Sequence, residues 1–320
     1  MKAAYYNEHG TSDVIEVGEL PIPEPKADEV LVQIAAAGVN PIDRRLRNGE
    51  LSEYISRTFP VVPGWDLSGR ITRVGNEVKN FSVGDEVVGL AFTWSIQHGT
   101  NAEYAPVSAS AIARKPSNLS FCEAAALPLV SLTAWQSLVE FASLQPGESV
   151  LIQAGAGGLG SVAISIAKHL GAKVYTTCST SNMDYARKRG ADHVIDYTKT
   201  DYEQILRQME PDGLDMVLES LLSDATTQAA IRLVKPGGTV VYMNNEPPEM
   251  AEITEKRIKT EFLHHRPDGE SLAQIMSLYE NGTLQLPHIQ TLPLESIREA
   301  HDLSESGHIQ GKLVLHIQDL

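Results

Sequence analysis

The segment from Val150 to Ala172, VLIQAGAGGLGSVAISIAKHLGA, constrains what this chain can fold into more than any other. It opens on a short apolar run of the kind a fully buried strand needs. It closes on a helical face, because Leu159, Val162, Ala163, Ile166, Ala167 and Leu170 fall at offsets 0, 3, 4, 7, 8 and 11. Gly171 then stands where a helix-ending glycine belongs. Between strand and helix lies the turn Gly155-x-Gly157-x-x-Gly160, with Gly158 and Leu159 completing it. In such a turn one glycine permits the tight bend, one lets backbone approach a pyrophosphate, and one allows helix and strand to pack closely. The helix N-terminus behind it offers unpaired N–H groups and the positive end of a dipole. The same glycines would also suit a ligand-free βα turn, so the flanking pattern matters.

That pattern continues. Apolar runs at Val150–Gln153, Lys173–Thr177, His193–Ile195, Met216–Leu218 and Thr239–Met243 alternate with helix-period stretches. This predicts βα units on a doubly wound parallel sheet, a Rossmann arrangement. Before about Ser120 the character differs: short apolar runs such as Val30–Ile34 and Glu86–Leu90 lie between turn signals PIPEP, VPGWD and SVGDE. The tail after about His264 is too short for a domain of its own and is read as rejoining the N-terminal part. The expected organisation is therefore a split β-rich unit, residues 1–123 with 265–320, around an inserted dinucleotide-binding unit, residues 124–264. A length of 320 residues is consistent with about two domains.

Composition narrows the partners. The formal charge is −15, which disfavours nucleic acid and anionic membrane surfaces. No run approaches the ~18 apolar residues of a membrane span, and the first residues carry no secretory apolar stretch. Cys122 and Cys178 are too few for a disulfide framework, which fits a reducing cytoplasm. At the end of the second expected βα strand the run TTCSTSN has no carboxylate before Asp184. An acid there would accept from the 2′-hydroxyl of NAD; its absence, with Ser179 and neighbouring hydroxyls, favours NADPH. Those hydroxyls can equally cap the next helix. Asp43 and Arg45 are expected to form a supporting ion pair, and Cys178 to pack rather than react.

The chain resembles the zinc-independent medium-chain dehydrogenase/reductases of the NADPH:quinone oxidoreductase type. The resemblance rests on AAGVNPIDRRLRNG, FPVVPGWDLSGRITRVG, GDEVVG, AALPLVSLTAWQSL, the glycine turn, GADHVIDY, LVKPGG and ESGHIQGKLVL, in that order along almost the whole chain. It implies a GroES-like catalytic domain built from both chain ends, an inserted Rossmann domain, and a nicotinamide lodged between the two. It places Asn40, Tyr54 and Trp65 at the substrate, with Trp94 a further lining candidate, and Thr133 at the nicotinamide ribose. It carries Ser179 and Tyr197 to the 2′-phosphate; a Lys frequent three residues after Ser179 is Asn182 here, with Arg187 or Lys188 as possible substitutes. Zinc-dependent relatives have Cys and His-Glu where this chain has Asn40 and Trp65-Asp66, and the adjacent His264 and His265 do not compensate, so no metal is expected. Without a Lewis acid, hydride delivery to a quinone or α,β-unsaturated carbonyl is the expected reaction. An alkenal/enone reductase with little quinone activity, or a non-catalytic NADPH-binding sensor or scaffold, remain alternatives. The segment Ile258–Leu263 reads as an edge strand, and the resemblance implies a homodimer through it.

Overall fold

The computed structural model describes residues 1–320, which divide into two compact units. One comprises Met1–Leu132, Arg266–Gly282 and His288–Leu320; the other comprises Thr133–His265 and Thr283–Pro287. The changeover falls inside the helix Pro128–Trp135, later than the expected 123/124. The reason is apolar: the preceding helix Phe121–Ala125 packs Ala125 and Ala126 against Ala36 and Val314 of the first unit. The short segment Thr283–Pro287 goes with the second unit, where Arg189 donates to the Leu286 and Gln285 carbonyls at 2.6 Å each.

The first unit is built on a seven-stranded sheet with the order Ile289–Pro293, Lys312–His316, Glu29–Val39, Asp66–Val74, Glu86–Leu90, Ile112–Arg114, and Tyr104–Ser108 also paired to Glu29–Val39. All its pairings are antiparallel except the first, which joins the two C-terminal strands in parallel. Val30, Val32, Ile34, Leu67, Ile71 and Val87 form the core beneath it.

The second unit carries six parallel strands, in spatial order His193–Asp196, Lys173–Cys178, Ser149–Ile152, Leu214–Glu219, Val234–Tyr242 and Lys259–Phe262. Counted along the chain this is order 3-2-1-4-5-6, the doubly wound arrangement the alternation predicts. Its strand order reverses between Ser149–Ile152 and Leu214–Glu219, so the crevice for a ligand lies beyond their carboxyl ends. Every residue of Ser149–Ile152 is buried, as a strand covered on both faces requires. The helix Gly158–His169 ends in a Schellman motif: Ala172 N–H reaches the Ala167 carbonyl and Gly171 N–H the Lys168 carbonyl, both at 3.0 Å. Gly171 sits at φ +82°, a conformation a side chain would strain. No helix is long and apolar enough to cross a membrane.

Candidate functional site

In the second unit the glycine turn joins Ser149–Ile152 to Gly158–His169. The three motif glycines serve different ends. A Cβ on Gly155 would lie 2.0 Å from Thr176 Oγ1, and one on Gly160 would lie 2.3 Å from the Ala154 carbonyl oxygen. Both are excluded by the fold itself. A Cβ on Gly157 would meet only the Ala154 oxygen, at 3.4 Å, an ordinary contact. Gly157 therefore faces open space, as backbone bared for a ligand does. Gly158 and Leu159, half-buried, begin the helix whose free N–H groups point to the turn. Ala154 holds φ +51°, a non-glycine residue in the left-handed region, so the turn is strained where it leaves the strand. It is anchored by Ala154 N–H to Thr177 Oγ1 at 3.3 Å and Gly155 N–H to the Thr177 carbonyl at 3.0 Å.

Beyond the next strand, Ser179 Oγ accepts from Asn182 Nδ2 at 3.2 Å and lies 3.3 Å from Ser181 Oγ. Tyr197, 56 % exposed, follows the neighbouring strand and its N–H reaches the Cys178 carbonyl. Arg187 is paired with Asp184 at 2.8 Å, while Lys188 is exposed. Cys178 is buried, and burial pushes its thiol up to about 11. Thr133 is buried in the helix Pro128–Trp135, its carbonyl accepting from Ser137 Oγ at 2.7 Å.

The sequence reading missed two acids in this unit. Asp196 ends its strand and accepts from the Thr180 hydroxyl and from Thr198 Oγ1 at 2.6 Å, bonds that hold its carboxyl below the usual range. Glu219 ends the strand beside the glycine strand and has no accessible surface. Its Oε1 accepts from Leu221 N–H and Thr226 Oγ1 at 3.0 Å, its Oε2 has no partner, and burial pushes it up to about 7. A carboxylate closing an apolar strand run (Met216, Val217, Leu218) was the available signal.

In the first unit Asn40 precedes the helix Pro41–Arg47 and is 1 % exposed. Its amide is held on both sides: Lys312 Nζ donates to its Oδ1 at 2.5 Å, and its Nδ2 donates to Asp66 Oδ2 at 2.8 Å. Lys312 also lies 3.3 Å from Asp66 Oδ2, and both are buried. The other Asp66 oxygen accepts Leu129 N–H at 2.7 Å, tying down the start of the helix that follows. The expected Asp43–Arg45 pair does not form. Residues two apart on a helix face different ways; Asp43 turns inward and accepts Asn40 N–H at 2.8 Å, while Arg45 reaches Glu50 at 3.1 Å. Burial pushes Asp43 up to about 7.

Trp65 has no accessible surface, so it cannot itself line an open pocket. It instead begins an edge-to-face series, Trp65–Phe92 at 4.8 Å and Phe92–Trp94 at 5.0 Å, that ends on the exposed Trp94 ring. Tyr54 is 70 % exposed on the stretch before strand Ser56–Val62. No three His, Cys, Asp or Glu side chains come together as a metal-holding group; Asn40 and Asp66 are occupied by Lys312, whose ammonium stands among the donors a cation would need.

A β-rich unit with a doubly wound nucleotide unit defines a class of two-domain oxidoreductases. Residues 26–117 match the alcohol dehydrogenase GroES-like domain model, and residues 189–315 the zinc-binding dehydrogenase model. The chain is 36 % identical over 328 residues to a 2-methylene-furan-3-one reductase from Solanum lycopersicum, covering 99 % of this chain and 79 % of that protein. It is 33 % identical to the chloroplastic NADPH-dependent alkenal/one oxidoreductase of Arabidopsis thaliana, with the same coverages. The structure of the Escherichia coli quinone oxidoreductase complexed with NADPH superposes with TM-score 0.88 at 26 % identity, over 99 % of this chain and 100 % of that one. The chain belongs to the medium-chain dehydrogenase/reductases, in their quinone oxidoreductase-like branch.

Proposed function

We propose that this chain is an NADPH-dependent reductase of quinones and other α,β-unsaturated carbonyls. The observation that carries this is the glycine turn, where Gly157 leaves room for a ligand while Gly155 and Gly160 are required by packing. The hydroxyl-rich strand end at Ser179 and the activities named for the relatives support it. When bound, NADPH supplies the hydride. Gly155, Gly157, Gly158, Leu159 and Gly160 would hold its pyrophosphate, Ser179 and Tyr197 its 2′-phosphate, and Thr133 its nicotinamide ribose.

On the first unit Asn40 is 1 % exposed, and the one amide N–H it has left for an acceptor's oxygen is the second, the first being committed to Asp66. Lys312 on Oδ1 and Asp66 on Nδ2 fix which way that amide faces. Tyr54 and Trp94 present exposed rings suited to a flat conjugated acceptor, with Trp65 acting from behind Phe92. The cysteines Cys122 and Cys178, both free, support a reducing compartment such as the cytoplasm. The edge strand of the parallel sheet, Lys259–Phe262, pairs only with Val234–Tyr242, and its other edge supports a homodimer that continues the sheet.

The test is calorimetric titration with NADPH and NADH. NADPH is expected to bind at least about tenfold tighter, a difference of roughly 1.4 kcal/mol. Equal affinities, or tighter NADH, would refute the cofactor assignment.

A further inference from the structure

We propose that Lys199 is the cation that reads the cofactor's 2′-phosphate and sets its preference over the unphosphorylated dinucleotide, an inference that rests on the functional reading above. The strand end Ser179–Asn182 carries hydroxyls and an amide but no cation. Strand register sets Cys178 opposite Asp196, so the Asp196 carboxylate is brought beside this hydroxyl cluster, where the Thr180 hydroxyl bonds it. A fixed negative charge there opposes a phosphate that itself carries a charge between about −1.5 and −2. Hydroxyl donors alone do not neutralise that. A cation must.

Of the other basic residues around these strands, Lys188 is exposed on the following helix and is tested beside Lys199; the rest have partners of their own. Arg187 is paired with Asp184 at 2.8 Å, Lys168 with Asp192 at 2.8 Å, and Lys173 with Glu210 at 2.8 Å. Arg189 is buried, with both terminal nitrogens on the Leu286 and Gln285 carbonyls. Lys199 differs. Its Nζ stands 3.7 Å from Asp196 Oδ2, beyond hydrogen-bond length, and its side chain is 64 % exposed. The ammonium is thus held near the hydroxyl cluster by charge alone, on a flexible stem, and is weakly bound enough to move. Placed between Asp196 and a 2′-phosphate, it screens the first and neutralises the second. Tyr197, two residues earlier and exposed, brings a phenol to the same edge.

The experiment is titration of the full-length wild type, Lys199→Gln, Lys199→Arg and Lys188→Gln with NADPH and NADH, at low and high ionic strength. Lys199→Gln is expected to weaken NADPH about tenfold and leave NADH within about twofold, the size of one charge contact near a protein surface. The loss should shrink at high salt. Lys199→Arg should keep NADPH within about threefold of wild type, and Lys188→Gln should change neither cofactor. Equal weakening of both cofactors by Lys199→Gln, an unchanged NADPH affinity, or an effect carried by Lys188→Gln overturns the assignment. A wild type that does not prefer NADPH overturns the functional reading instead. A wild type that prefers it, with Lys199→Gln unaltered, overturns only the role of Lys199.

Discussion

Replacing Lys312 by methionine is expected to destabilise the first unit by about 3–5 kcal/mol, because it strands a buried carboxylate. Lys312 and Asp66 are 4 % and 0 % exposed at the side chain, and no other cation reaches that carboxylate. Removing the ammonium also leaves Asn40 Oδ1 and the Val39 carbonyl without the donor they share. Asp66→Asn alone should be comparably harmful, since it leaves the ammonium buried. The double variant Lys312→Met with Asp66→Asn removes both charges and should regain about 2 kcal/mol over the sum of the single effects. Urea unfolding at neutral pH measures the cycle. Single effects that simply add would show that the pair is not coupled and that Asn40 is held by something else.

The glycine turn gives the second large effect, by contrast within one motif. Gly160→Ala places a methyl 2.3 Å from the Ala154 carbonyl oxygen and 2.8 Å from both the Ala154 carbonyl carbon and Gly155 Cα. These are backbone atoms in a turn already strained at Ala154, so none can rotate away, and about 1–3 kcal/mol of stability should be lost. Gly157→Ala meets nothing closer than 3.4 Å and should leave stability within about 0.5 kcal/mol. Its methyl nevertheless occupies the face where a pyrophosphate would approach, and NADPH affinity should fall at least about tenfold. Thermal melting and titration of both variants separate the two roles. A Gly157→Ala protein that binds NADPH as wild type does would remove the turn from the cofactor site.

What could be read in advance follows the range of the forces involved. The parallel strands were legible because strands covered on both faces are continuous apolar runs, and the helix Gly158–His169 because its apolar face repeats every three to four residues. Strand Val234–Tyr242 begins five residues before the expected Thr239, because Pro236-Gly237-Gly238 reads as a turn. In the fold it is absorbed by a bulge that pairs Leu214 with Val234 and Met216 with Thr239. The buried ion pair was not legible. Lys312 meets Asn40 across 272 positions, and the only local sign was a lysine opening the strand Lys312–His316 directly before its apolar run. Trp65 and Trp94 looked alike in sequence; burial separates them, with Trp65 inside and Trp94 at the surface. Asp196 escaped attention because strand pairing, not sequence distance, sets it opposite Cys178.

On the proposed reading, hydride passes from NADPH to an electrophilic double bond with no metal taking part. That transfer is tested most directly by incubating the protein with NADPH deuterated at nicotinamide C4, a simple enone and a strong chelator, then locating the label in the product. The expected product is a saturated ketone carrying deuterium at the former β-carbon, with one NADPH consumed per product and the same rate with or without chelator. An allylic alcohol with its double bond intact, label at the carbonyl carbon, or loss of activity on chelation would contradict that reading.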